Sequence, residues 1–93
     1  MEIINEAELH IFSWKHSRAR KPLANWVEVV KTSAWDTFAD VRKTFRSADY
    51  IKNRVIFDIG GNNYRLITSV DYAAKRVYVL EMMTHTEYDR WSS

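Results

Sequence analysis

Near the end of the chain, Thr84-His85-Thr86-Glu87-Tyr88-Asp89 sets an imidazole three residues before a phenol, just where an alternating strand pattern runs out. Lys52, Arg54, Arg65 and Arg76 are spread over the alternating segments upstream. Cations fixed on a small sheet, with a histidine at its edge, suit metal-free cleavage of an RNA phosphodiester. That reaction needs a group to take the 2′-hydroxyl proton, cations to hold the phosphate as negative charge builds, and a proton for the leaving oxygen. His85 is the candidate for proton transfer. Tyr88 falls on the same side of a helical turn, where it would orient the substrate or stack on a base. Arg65 is the candidate phosphate clamp, because strand pairing fixes its base and a guanidinium grips phosphate through two parallel bonds. Lys52, Arg54 and Arg76 are candidate RNA contacts, Arg76 being equally suited to solvent or a partner protein. Asp58 offers an alternative for Arg65 or Arg54, namely an ion pair within the sheet.

Other chemistries find less support. His10, His16 and His85 share no metal-ligand spacing, and there is no cysteine for a thiolate site, a disulfide or a nucleophile. Gly60-Gly61-Asn62 joins two strands and opens no helix, so it reads as a hairpin turn, not a phosphate loop. Neither a metal nor a cofactor is expected.

The elements that must carry these residues are legible in the periodicity. Met1 to Ile4 reads as a brief edge strand. Asn5 and Glu8 have capping-box spacing, and Ala7, Ile11 and Trp14, widened by Leu9 and Phe12, predict a helix over about 6–16. Pro22 suits the first turn of a second helix, whose stripe is Leu23, Trp26, Val27 and Val30. Ser33 and Asp36 offer a cap for a short third helix using Trp35, Phe38 and Val41. The period then changes to two. Arg54–Ile59, Tyr64–Val70 and Arg76–Met83 predict three strands in an antiparallel meander, since their links are too short for parallel crossovers. Val77 and Val79 are expected to oppose Tyr78, Leu80 and Met82. Thr84 and Glu87 repeat the capping-box spacing, so a short final helix starts at His85.

Ninety-three residues support one domain, 1–93. Four tryptophans, five tyrosines and four phenylalanines are more than a minimal core requires, and some rings are expected to face a partner. The formal charge is only +2, yet Lys15, His16, Arg18, Arg20 and Lys21 form one basic run and Arg42, Lys43, Arg46, Lys52 and Arg54 a second. No apolar run approaches the ~20 residues that span a bilayer, and no signal-like N-terminus is present, so a cytoplasmic protein is expected.

Together, Asn53-Arg54-Val55-Ile56-Phe57-Asp58-Ile59-Gly60-Gly61-Asn62-Asn63-Tyr64-Arg65-Leu66 and Thr84-His85-Thr86-Glu87-Tyr88-Asp89, supported by Trp26 and the stretch 35–41, resemble the HigB toxin family of type II toxin–antitoxin modules. The resemblance implies a RelE-like α+β fold, with a small antiparallel sheet, an N-terminal helical hairpin packed on it and a short C-terminal helix. It implies an mRNA interferase that cuts translated mRNA on the ribosome by 2′-hydroxyl attack. It also implies a HigA-like helix-turn-helix antitoxin, which would link the toxin indirectly to operator DNA. Carried onto this chain, Arg65 stabilises the scissile phosphate, Arg54 helps bind the backbone, and His85 with Tyr88 forms the proton-transfer and orienting edge. Asp58 departs from the neutral Asn expected in many relatives. The alternative reading is a non-catalytic RNA-binding or co-repressor module of the same fold. From the exposed basic run and the helical hairpin, the antitoxin is expected to cover Arg18 to Lys21 or the adjacent sheet edge.

Overall fold

A computed structural model describes residues 1–93. The chain runs β1 (Glu2–Ile4), α1 (Ala7–Lys15), a 3-10 turn (Ser17–Ala19), α2 (Arg20–Lys31), α3 (Phe38–Thr44), β2 (Asp49–Ile51), β3 (Arg54–Ile59), β4 (Tyr64–Asp71), β5 (Arg76–Thr84) and α4 (His85–Ser92). The fold is α+β. Its sheet has five strands in the order β1-β5-β4-β3-β2. The predicted meander is β3-β4-β5, extended at both edges. On one side β1 pairs with β5 in parallel, so the sheet is mixed where the sequence suggested a wholly antiparallel one. On the other, β2 forms a hairpin with β3. That hairpin turns on Lys52 and Asn53, both at positive φ (54° and 62°), the requirement of a two-residue primed turn. Three residues are too few to show a period, which is why β2 is absent from the sequence-based expectation. No helix is long and apolar enough to cross a membrane.

The larger core lies between the sheet and the helices. Val55, Phe57 and Ile59 of β3, Tyr64 and Leu66 of β4, and Val77 and Val79 of β5 face Leu9, Leu23, Trp26 and Val30. In α2 the buried residues are those of the predicted stripe, Leu23, Trp26 and Val30. In α1 the stripe is turned: Leu9 is buried and Phe12 half-buried, while Ile11 and Trp14 are 52% and 87% exposed. Leu9, Phe12 and His16 stand at i, i+3 and i+7, and the Phe12 and His16 rings stack at 4.3 Å. The crowding of apolar residues around α1 hid this face from periodicity.

Neither predicted cap of the first and third helices forms, and only the third has another in its place. Asn5 adopts φ 67° and points its amide at the Val79 carbonyl, so it makes the bend from β1 into α1 and caps nothing. The third helix is capped by Thr37 and Asp40, which exchange side-chain and backbone bonds, in place of Ser33 and Asp36. Those bonds to the amides of residues 36 and 37 hold the Asp40 carboxyl below its ordinary value.

The strand β5 is irregular at Leu80. Glu81 pairs with Ile67 and Val79 with Thr68, so Leu80 is skipped. Beyond it the alternation inverts. Met82 packs with the helix-side core, and Met83 joins Ile56 and Ile67 in a second, smaller cluster on the opposite face. The expected grouping of Met82 with Tyr78 fails for this reason.

Phe57 is the centre of the main core, 1% exposed, with the rings of Trp26, Trp35 and Phe45 at 5.3, 6.1 and 5.3 Å. Phe57→Ala is expected to destabilise the protein by about 3–5 kcal/mol, read as a fall in the urea midpoint. A loss under 1 kcal/mol would show that the aromatic cluster collapses around the gap.

Candidate RNA-cleaving site

The second face of the sheet carries the candidate site. Register places Asp58 of β3 directly across from Arg65 of β4. Both point to the face that holds Ile56, Ile67 and Met83, since opposed residues in antiparallel strands share a face. The helix α4 folds back over this face, packing Tyr88 and Trp91 on the small cluster. The turn into α4 follows from Thr84, whose hydroxyl accepts from the Glu87 amide while the Glu87 carboxylate accepts from the Thr84 amide. That reciprocal cap holds the Glu87 carboxyl below its usual value.

Arg65 is 8% exposed. Its Nε lies 3.1 Å from Asp58 Oδ1, one terminal nitrogen donates to the Tyr64 carbonyl at 3.1 Å, and the other to Asn62 Oδ1 at 2.5 Å. Tyr88 closes over it, with the guanidinium carbon 5.4 Å from the ring centroid. Of the two roles open to Arg65 in the sequence, phosphate clamp and ion-paired sheet arginine, this conformation is the second. Neither Arg65, Tyr88 nor His85 lines any of the three surface cavities.

His85 opens α4 with its side chain 46% exposed and its Nε2 3.3 Å from Asp89 Oδ2. Its backbone amide donates to the Asn63 carbonyl at 3.0 Å, which ties the start of α4 to the β3–β4 tip. Gly60 and Gly61 shape that tip, both at positive φ (66° and 67°). Tyr88 is held protonated: burial first, then the nearby charge of Asp49, pushes its phenol above the ordinary 10.0, with Arg65 opposing. It cannot act as a base at neutral pH.

The remaining cations divide. Lys52 donates to the Trp91 carbonyl and sits 4.9 Å over its ring, so it pins the end of α4 to the β2–β3 turn. Arg54, half-buried, makes one long bond to the Asn53 carbonyl and has no carboxylate partner. Arg76 pairs with Glu2 at 3.1 Å, at the far end of β5 from His85. Nine residues of strand separate the two by about 25–30 Å, so Arg76 stands apart from the other candidates. The contributions of Asn62 and Trp91 went unnoticed in the sequence, because each depends on a contact made only when the chain turns back.

A small mixed sheet with helices on one face and a C-terminal helix folded over the other is an α+β architecture of the RelE-like toxin type. The sequence comparisons agree. Residues 19–91 match the family described as HigB_toxin, RelE-like toxic component of a toxin-antitoxin system. The chain is similar to the mRNA interferase HigB of Escherichia coli O6:H1 (strain CFT073), 30% identical over 93 residues that cover 97% of this chain and 90% of that protein. It is also similar to the mRNA interferase toxin HigB of Escherichia coli K12 and the mRNA interferase HigB of Shigella flexneri, each 25% identical over 92 residues covering 96% of this chain and 88% of theirs. The chain belongs to the HigB toxin family, and membership implies an antitoxin partner.

Two outcomes test the geometry. Arg65→Ala leaves Asp58 without its partner and frees Tyr88, and is expected to cost about 3 kcal/mol in urea unfolding, the lower end for a buried pair because Asp58 is partly exposed. Adding Asp58→Asn should recover part of that loss; no recovery would mean the pair is not the source. Alkaline titration gives the second. A phenol whose pKa is raised on folding contributes stability that is complete below pH 10 and lost as pH climbs through the folded value. Tyr88→Phe should therefore flatten, though not abolish, the alkaline fall in urea midpoint, since burial raises Tyr72 as well.

Proposed function

We propose that this protein is the toxin of a type II toxin–antitoxin module and acts as an mRNA interferase, an endoribonuclease that cuts translated mRNA on the ribosome. The observation that carries the reading is the match to HigB relatives over nearly the whole chain. The cut follows metal-independent attack by the ribose 2′-hydroxyl on the adjacent phosphorus. The bond to the 5′-oxygen breaks, leaving a 2′,3′-cyclic phosphate and a 5′-hydroxyl. His85 takes the 2′-hydroxyl proton. Its Nε2 lies 3.3 Å from the Asp89 carboxylate, which leaves Nδ1 as the nitrogen turned to the substrate. Tyr88, kept as the neutral phenol, orients the substrate and can give a proton to the leaving oxygen.

In this scheme Arg65 works from beneath. Its charge is balanced by Asp58, so its first contribution is to hold the hairpin tip through Asn62 and the Tyr88 ring above it. Hydrogen bonds to the Tyr64 carbonyl and Asn62 occupy two of its five N–H groups. Arg54, with no carboxylate to neutralise it, extends the backbone contact, and Lys52 contributes beside it. The cognate antitoxin is a HigA-like helix-turn-helix protein, through which the toxin meets operator DNA.

The decisive measurement maps mRNA ends after induction of wild type and His85→Ala in one strain. Wild type should produce new ends in phase with the reading frame. His85→Ala, folded to the same far-ultraviolet spectrum, should reduce them by about 100-fold or more, the loss typical of a general base. Undiminished cutting would remove His85 from the chemistry. No new ends in wild type would favour the non-catalytic module, for which the enclosed Arg65 is the specific argument.

A further inference from the structure

Four exposed cations, Lys15, Arg18, Arg20 and Lys21, crowd the junction between α1 and α2, and none has a carboxylate partner. The net charge of the whole chain is only +2, so this junction is one of its concentrated positive regions. The fold brings it to the same end of the sheet as His85. The His16 ring meets Tyr64 at 5.4 Å, and Tyr64 is paired with Thr84. Gly60, at the β3–β4 tip, lies so close to α2 that a Cβ there would be 3.8 Å from the Pro22 ring. Junction, hairpin tip and the first turn of α4 are therefore three neighbouring parts of one surface.

The placement of Arg20 and Lys21 has no structural reason. Arg42 and Lys43 occupy the last turn of α3, and Lys15 the last turn of α1, where cations complement the partial negative charge of a helix end. Arg20 and Lys21 open α2, where the partial charge is already positive. That turn has no side-chain cap and no acidic residue. Lys15 reaches the groove beside Leu80 and Met82, and Arg20 the groove between α1 and α2, which leaves Arg18 and Lys21 unengaged on the junction itself. The exposed apolar side chains Trp14 and Ile11 line those same two grooves, with Arg20 and Lys15 respectively, and neither groove includes Arg18 or Lys21.

We infer that the α1–α2 junction is a phosphate-backbone subsite, in which Arg18 and Lys21, flanked by Lys15 and Arg20, hold single-stranded RNA beside His85. The inference rests on the interferase reading and supplies what the candidate site lacks. Arg65 is neutralised by Asp58, so the grip on the strand comes from neighbouring cations that no carboxylate offsets. The subsite carries no sequence preference, because it meets phosphates and not base edges.

The probe is a 2′-O-methyl single-stranded oligonucleotide, which offers the backbone without the attacking hydroxyl, with co-sedimentation on ribosomes as a second arm. Arg18→Gln with Lys21→Gln should weaken oligonucleotide binding and lower the slope of log K against log salt by about 1.4, two contacts at ~0.7 each. Arg42→Gln with Lys43→Gln, the same change of charge elsewhere, should leave the slope in place. The thermal midpoint of the junction variant should equal or exceed wild type, since Lys21 opposes its helix. A loss seen with the free oligonucleotide assigns the subsite to the messenger strand, and one confined to ribosomes assigns it to ribosomal RNA; either upholds the backbone contact. An unchanged salt slope in both arms overturns the inference, as does an equal fall in the α3 control. Loss of affinity for the cognate antitoxin alone overturns it too, and makes the junction a protein-binding surface. Because binding is read without cleavage, a wild type that binds at this junction but never cuts sinks the interferase reading and spares the subsite, whereas normal cutting by the junction variant does the reverse.

Discussion

The ion pair between Asp58 and Arg65 organises the second face of the sheet. A guanidinium only 8% exposed is tolerable because a carboxylate pairs with it, a carbonyl and an amide oxygen accept from two of its donors, and a ring covers it. Each of those partners belongs to a different local structure. Asp58 is on β3, Asn62 on the hairpin tip and Tyr88 on α4, so satisfying one buried charge fixes three pieces of chain against each other. The position of His85 is a product of that arrangement, since its amide bonds to the same tip.

The two faces of the sheet divide the labour. The helix-covered face holds fifteen buried residues, enough to fix the register of β3, β4 and β5. The other holds three, Ile56, Ile67 and Met83, and depends on polar and aromatic contacts to keep α4 in place. Lys52 against the end of α4 and the Thr84–Glu87 cap at its start bracket the helix. Stability is therefore concentrated on one side, and the groups with chemical potential lie on the thinner one. Such a division keeps adjustments of α4 from disturbing the main core.

Much of this was legible in the sequence, for identifiable reasons. The stripe of α2 is legible because Leu23, Trp26, Val27 and Val30 stand at i, i+3, i+4 and i+7; that of α1 is not, since Ile11 and Trp14 are apolar yet exposed. Adjacent glycines announced the β3–β4 turn, whereas Lys52-Asn53 reaches positive φ without a glycine and hid a hairpin. Capping spacing succeeded at Thr84 and Glu87 and failed at Asn5, where the same residue type serves a left-handed bend. Among the site residues, the facing of Arg65 and Asp58 depends on register, a quantity that periodicity leaves free by steps of two. Arg76 shares composition with the other arginines and nothing of their location, because linear spread along strands says little about which end of a sheet a residue reaches.

The skipped Leu80 bears on how this lineage can vary. As a bulge it adds one unit of chain to β5 without adding a pair to the ladder, and that unit decides which side of the sheet Met83 and everything after it will address. Its own side chain is exposed, so its identity is nearly free while its presence is not. Drift by replacement should pass unnoticed at this position, but loss of a single codon would deliver α4, with its imidazole, to the wrong side of the molecule.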